Sequence, residues 1–161
     1  MDNPLEVKKH FMNAHEGSFK VVRDGESREF TVMGAKSSYK ATAADTGGAY
    51  SLAIETTPPH SGLPLHVHHR EDEAMYILEG EYEIQCGDRT IRATKGTFVF
   101  LPRDVPNRFE NVTDAPGSYI YITSPGGFET FMDQMSKATA GDPVDMSKVP
   151  EIFRNHGIEM K

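Results

Sequence analysis

Three histidines and three acids lie within nine residues, in the stretch LHVHHREDE at residues 65–73. His66 and His68 are two residues apart, a spacing that directs both imidazoles to the same face of a β-strand. Glu73 follows after a polar step, where a bend could bring its carboxylate back to that face. Two imidazoles and a carboxylate are suitable ligands for a divalent transition metal. The spacing alone leaves a solvated charged loop equally open.

The remaining polar residues of this stretch are interpreted differently. Strand alternation directs His69 away from His66 and His68, which predicts a surface position or one behind the ligands. Glu71 and Asp72 are interpreted as solvated loop charges rather than as ligands.

The surrounding sequence must form the scaffold that positions these side chains. Short runs of β-forming residues, separated by Gly, Pro and Asp, extend from about residue 28 to residue 124, a pattern typical of a sandwich or barrel. In EYEIQC, Tyr82, Ile84 and Cys86 alternate with polar residues, as in a strand with one buried face. Apolar positions at helical spacing within about residues 127–157 predict a helical lid on the barrel. A further short helix is allowed at residues 4–14.

Composition restricts the classes of partner. The 161 residues fit a single domain, taken as residues 1–161. A net charge of −7 without a Lys/Arg cluster disfavours nucleic acid as a partner. We expect no membrane span, because no apolar run approaches about 18 residues. The N-terminal residues lack the apolar core of a signal peptide. The single cysteine, Cys86, cannot form an internal disulfide, which fits a reducing cytoplasm.

The stretch from HVHHREDE to NRFENV resembles the cupin superfamily, in particular small single-domain bacterial cupins similar to quercetin 2,3-dioxygenase. Four residues match the first cupin motif: His66, His68, Glu73 and Gly80. Three residues match the second motif: Gly96, Pro102 and Asn111. Asp104 stands where this second motif usually has a glycine, and Asn107 stands where it usually has the last metal-binding histidine.

The resemblance implies an all-β, double-stranded β-helix (jelly-roll) barrel, usually a homodimer, that holds Fe, Mn, Ni, Co or Zn. It implies His66, His68 and Glu73 as ligands, with Asn107 in the fourth position. The amide oxygen of asparagine is a weaker ligand than imidazole. Three outcomes stay open: the first three residues bind the metal alone, Asn107 adds its oxygen directly or through water, or the barrel stays metal-free.

The resemblance also implies a reaction class and a substrate class. Glu73 would be the catalytic base as well as a ligand in a dioxygenase-like reaction on a small aromatic or enolisable substrate. A cyclase or isomerase that uses no O2, or a non-catalytic small-molecule binder, are the alternatives, because cupins of all these kinds exist. Six aromatic residues are predicted to line a pocket for a flat ligand: Tyr82, Phe98, Phe100, Phe109, Tyr119 and Tyr121.

Overall fold

The computed structural model describes residues 19–141 and 144–161, and the helix predicted for residues 4–14 lies outside them. The described chain contains eleven strands, which form two antiparallel sheets. The first sheet contains, in spatial order, six strands: β1 (Arg28–Val32), β2 (Ala35–Ala41), β3 (Ser51–Thr57), β10 (Gly117–Ser124), β5 (Asp72–Glu79) and β8 (Phe98–Leu101). The second contains five: β11 (Ile158–Met160), β4 (Gly62–His68), β9 (Asn107–Asn111), β6 (Glu81–Cys86) and β7 (Arg89–Thr94).

The two sheets pack face to face through aromatic side chains. The ring of Tyr119 on β10 lies 5.3 Å from the ring of Tyr82 on β6 and 5.6 Å from that of Phe109 on β9. Edge-to-face pairs at these distances are a favourable arrangement of aromatic rings. The predicted all-β class, with two packed sheets, is confirmed.

Short helices flank the sheets, as predicted for the C-terminal part. They are α1 (Ala43–Thr46), α2 (Phe128–Ala138), a 3-10 turn (Met146–Lys148) and α3 (Val149–Asn155). Helix α2 buries Phe131, Met132 and Met135 at helical spacing. The buried carboxylate of Glu129 accepts hydrogen bonds from Ser51 Oγ (2.5 Å) and the Ala43 amide (2.9 Å), which fixes α2 to β3 and α1. Within the described residues, every helix is too short or too polar to cross a membrane.

Strands β3 and β10 have an unusual distribution of polarity. The inward side chains of β3 are Ser51, Ala53, Glu55 and Thr57, whereas Leu52 and Ile54 face outward. In β10, Tyr119, Tyr121 and Thr123 face inward, and Ile120 and Ile122 face outward. A one-sided sheet usually has its aliphatic residues inside. This barrel therefore has a polar interior wall and an aliphatic outer wall on the same two strands.

Candidate functional site

Strand β4 brings His66 and His68 together in the barrel interior. As alternation predicted, both imidazoles lie on one face, and both are buried. Their Nε2 atoms are 3.1 Å apart. Two neighbouring nitrogen ligands, each about 2.1 Å from a metal at a right angle, would lie about 3 Å from one another. The two histidines therefore already have the separation that adjacent ligands require.

In both imidazoles Nδ1 makes a hydrogen bond, which leaves Nε2 as the nitrogen that can bind a metal. His66 Nδ1 donates to the carbonyl of Pro64 (2.8 Å), so the neutral ring presents an unprotonated Nε2. Burial, followed by the charge on His68, lowers the pKa of His66 to about 4, which keeps this ring neutral. His68 Nδ1 donates to Glu71 Oε1 (2.7 Å). Burial lowers the pKa of His68, but the hydrogen bond to Glu71 and the nearby negative charge of Glu73 raise it, and the net effect is a raised pKa.

Glu73 reaches the same region from the other sheet. It lies on β5, opposite Thr123 of β10, and its Oε2 is 3.6 Å from His68 Nε2. Burial raises the pKa of Glu73 to about 6, although the nearby His68 acts in the opposite direction. The carboxylate is therefore a stronger base than an exposed glutamate and is still ionised at neutral pH.

Asn107 lies beside His66, where the motif comparison places the fourth ligand. The two residues are direct partners across β4 and β9, and Asn107 is 2% exposed. Its Oδ1 accepts no hydrogen bond from any described residue. Asp104, three residues earlier, has a φ of 64°, the left-handed conformation that favours glycine. The conformation agrees with the motif comparison, which expects a glycine at this position.

This donor set fits a divalent transition metal. Two nitrogen donors and a carboxylate oxygen converge. The buried amide oxygen of Asn107 has no hydrogen-bond partner among the described residues, and a metal or a metal-bound water would supply one. Nevertheless, in residues 19–141 and 144–161 no three His, Cys, Asp or Glu side chains are already grouped as a metal cluster. The Glu73 Oε2 atom lies 3.6 Å from His68 Nε2, compared with 3.1 Å between the two imidazole nitrogens.

The prediction that Glu71 is a solvated loop charge is wrong. Its carboxylate is buried against His68, because the turn after β4 folds the chain back onto the imidazole. Asp72 lies at the surface, where it forms a two-point ion pair with Arg103 (2.9 and 3.1 Å). His69 is exposed, as predicted, and its ring contacts Asp104 and Glu159.

Four of the six predicted pocket residues face the interior: Tyr82, Phe109, Tyr119 and Tyr121. The prediction is wrong for Phe98 and Phe100, which are 61% and 54% exposed. They lie on the outer face of β8, and Val99 and Leu101 face inward instead. Because every residue in the run FVFL is apolar, alternation could not distinguish the two faces.

A further buried carboxylate, that of Glu55, is not predicted from the sequence. It accepts hydrogen bonds from Ser37 Oγ and Tyr119 Oη, both at 2.5 Å, and burial raises its pKa. Phe128 of α2 is also absent from the predicted site, although its ring lies 5.4 Å from that of His68. Glu55 was hard to find because Leu52 and Ile54, on the opposite face of β3, are the residues that a pattern rule places inside.

Comparisons with known proteins support the fold. Residues 53–123 match the family model described as Cupin domain. The structure of KdgF from Halomonas sp. superposes with a TM-score of 0.62, at 15% identity, over 70% of this chain and 99% of that one. At this identity the likeness shows the fold alone. The architecture is therefore a cupin jelly roll, as predicted, and the finer resemblance to quercetin 2,3-dioxygenase stays a prediction.

Two curated relatives match about half of this chain. The uncharacterized protein MJ1618 of Methanocaldococcus jannaschii is 31% identical over 79 residues, which are 49% of this chain and 63% of the relative. The polyketide synthase CurC of Streptomyces cyaneus is 31% identical over 86 residues, which are 52% of this chain and 53% of the relative. The chain thus spans about half to three-fifths of the length of these relatives.

Proposed function

We propose that the barrel interior is the site of a metal-dependent enzyme that acts on a small aromatic or enolisable substrate in a dioxygenase-like reaction. One observation carries this proposal: the buried convergence of His66 Nε2, His68 Nε2 and the Glu73 carboxylate beside the Asn107 amide oxygen. These three side chains would hold the metal, with Asn107 as a weak neutral fourth donor.

A bound divalent metal would supply Lewis acidity, which lowers the pKa of a substrate hydroxyl. Glu73 would accept the hydroxyl proton at a carboxylate oxygen and leave the substrate as a phenolate or enolate. Its pKa of about 6 is suited to this role, since a base is most effective when its pKa is near the working pH. The buried ring of Tyr121 and the partly buried ring of Phe128 would exclude water on the side of His68.

The proposal is tested by metal content and by O2 consumption. We expect protein grown with Fe, Mn, Ni or Co to retain one metal per chain and to consume O2 with a flavonol or a catechol. His66→Ala should lose both properties. His60→Ala is the matched control, because His60 is an exposed histidine paired with Asp114. Substoichiometric metal under all these conditions would contradict the proposal and favour a non-catalytic small-molecule binder, whose ligand affinity His66→Ala would leave unchanged.

A non-oxidative cyclase is the second candidate, and the similarity to the polyketide synthase CurC favours it. Glu73 would still remove a proton from an enolisable position, but the resulting carbanion would attack a carbonyl within the same molecule. Turnover of a polyketide-like substrate without O2, lost in His66→Ala, would support this candidate over the first.

A further inference from the structure

Among the residues that the structure describes, two buried side-chain oxygens have no hydrogen-bond partner: Asn107 Oδ1 and Thr123 Oγ1. Asn107 lies next to His66 across β4 and β9. Thr123 is fully buried on the inner face of β10, and it lies opposite Glu73 of β5. Buried polar atoms in folded proteins nearly always have a partner, so each exception needs an explanation. The proposed function explains Asn107 Oδ1 but gives Thr123 no role.

The polar neighbours of Thr123 differ in whether they can still accept a hydrogen bond. Its direct partners on the two adjacent strands are Ser51 of β3 and Glu73 of β5. Ser51 Oγ donates its proton to Glu129 (2.5 Å) and accepts from a backbone amide (2.9 Å). The Glu73 carboxylate is different, because its Oε2 is 3.6 Å from His68 Nε2, longer than a hydrogen bond. Glu73 is therefore the neighbour that can still accept the hydroxyl proton of Thr123.

The two side chains are within reach of one another. Residues directly opposite on antiparallel strands point to the same face of the sheet, with their Cβ atoms about 4.5–5.5 Å apart. A change between staggered rotamers of Thr123 or Glu73 is enough to bring hydroxyl and carboxylate together. The hydroxyl has one proton to donate, and a carboxylate has capacity for about four hydrogen bonds. A bond to the ionised carboxylate would be charge-assisted and therefore strong.

We propose that Thr123 is a positioning residue whose hydroxyl donates to the Glu73 carboxylate when Glu73 acts as ligand and base. This role rests on the proposed function. With a single proton, Thr123 holds one carboxylate oxygen and leaves the other free for the metal or the substrate proton. Carboxylates that bind metals are in turn hydrogen-bonded, and loss of such a partner typically weakens metal binding about 10–100-fold. Thr123 thus orients Glu73 as Glu71 orients His68.

This role predicts effects of opposite sign in metal-free and metal-loaded protein. Thr123→Val keeps the shape of the side chain and removes only the hydroxyl. In metal-free protein it removes a buried donor that has no partner, so the denaturant midpoint of unfolding should equal or exceed that of wild type. In metal-loaded protein it removes the donor to Glu73, so Co²⁺ affinity should fall about tenfold. Thr123→Ser keeps a hydroxyl and should restore most of this affinity.

The experiment uses the full chain after treatment with a chelator, followed by Co²⁺ competition at about pH 8. Thr57→Val is the matched control, because Thr57 is also buried but its Oγ1 is 2.6 Å from Tyr82 Oη. It should lower the unfolding midpoint and leave Co²⁺ affinity unchanged. Thr123→Val is also made in a Glu73→Ala background. There it should have no effect on Co²⁺ affinity, because Thr123 acts through the carboxylate that this background lacks.

Each contrary outcome has a separate meaning. A metal-free Thr123→Val protein that loses as much stability as Thr57→Val overturns the proposal, since its hydroxyl would have a structural partner. Equal Co²⁺ affinity in wild type and Thr123→Val, with a large loss in His66→Ala, overturns this role alone and leaves the proposed function in place. A further loss in the Glu73→Ala background also overturns it. A wild type that binds no Co²⁺ contradicts the proposed function itself, and the role of Thr123 with it.

Discussion

The hydrogen bond between Glu71 and His68 allows a quantitative test of the proposed metal site. The bond is 2.7 Å long, and both side chains are almost fully buried. A carboxylate that accepts a hydrogen bond from the second nitrogen of a metal-binding histidine fixes the orientation of the ring and raises its basicity. Glu71→Gln keeps an oxygen acceptor at this place but removes its charge. Glu71→Ala leaves the buried Nδ1–H of His68 without that acceptor.

The expected losses follow from these two changes. A hydrogen bond to a charged group is stronger than a neutral one by about 1–1.5 kcal/mol, so Glu71→Gln should weaken metal binding about tenfold. Glu71→Ala also incurs the cost of a buried donor without a partner, and it should weaken binding about 100-fold. Both variants also remove the group that raises the pKa of His68, which reduces the competition from protons. The measurement therefore belongs at about pH 8, where protons compete least.

The assay is competition for Co²⁺ or Ni²⁺ against a chromogenic chelator. Glu159→Gln is the matched control, because Glu159 is exposed and contacts the exposed His69 instead of His68. Equal metal affinity in wild type, Glu71→Gln and Glu71→Ala, with a large loss in His66→Ala, would refute the reasoning. It would show that the metal does not depend on His68 in the orientation that Glu71 fixes.

Three further predictions address other parts of the barrel. Asn107→His should raise metal affinity at least ~10-fold, because imidazole is a stronger ligand than an amide oxygen; unchanged Co²⁺ absorption spectra would show that position 107 does not face the metal. For Glu55, burial raises the pKa in the folded state, so its contribution to stability is complete below its ordinary pKa of 4.5 and is lost as the pH rises through the raised value. Denaturant unfolding of Glu55→Gln should therefore show a smaller loss of stability above pH 4.5 than wild type does, and parallel curves would contradict this assignment. Phe131→Ala should lower the free energy of unfolding by about 3–5 kcal/mol, because its buried ring packs between Phe128 and Phe153; a thermal melt within a degree or two of wild type would contradict this packing.

The sequence was most informative where alternation and polarity agree. His66 and His68 were assigned to one strand face from a spacing of two, and the structure places them there. Asn107 was placed beside the histidines by motif alignment, and the pairing of β4 with β9 puts it next to His66. Short strands at regular spacing, a local property of the chain, predicted a sandwich or barrel, and the resemblance to cupins added the jelly-roll topology.

The sequence was least informative where polarity does not identify the inner face. Phe98 and Phe100 are predicted to line the pocket, but in an entirely apolar strand the alternation of polarity does not show which side chains face inward. Glu55 was overlooked because its neighbours Leu52 and Ile54 are the more apolar pair, and they face outward on this sheet. Burial of Glu71 depends on the direction of the turn after β4, which residue spacing does not encode. Each of these errors arises from tertiary contacts that override a local pattern.

Strand β5 holds the proposed base inside a sheet and not at its edge. Glu73 points into the barrel, and its strand is hydrogen-bonded to β10 on one side and to β8 on the other. Because both neighbouring strands fix the backbone of Glu73, only its side chain can adjust when a metal or a substrate enters the barrel. We therefore expect structures with and without metal to differ at Glu73 in side-chain torsion angles, with the backbone of β5 in the same place.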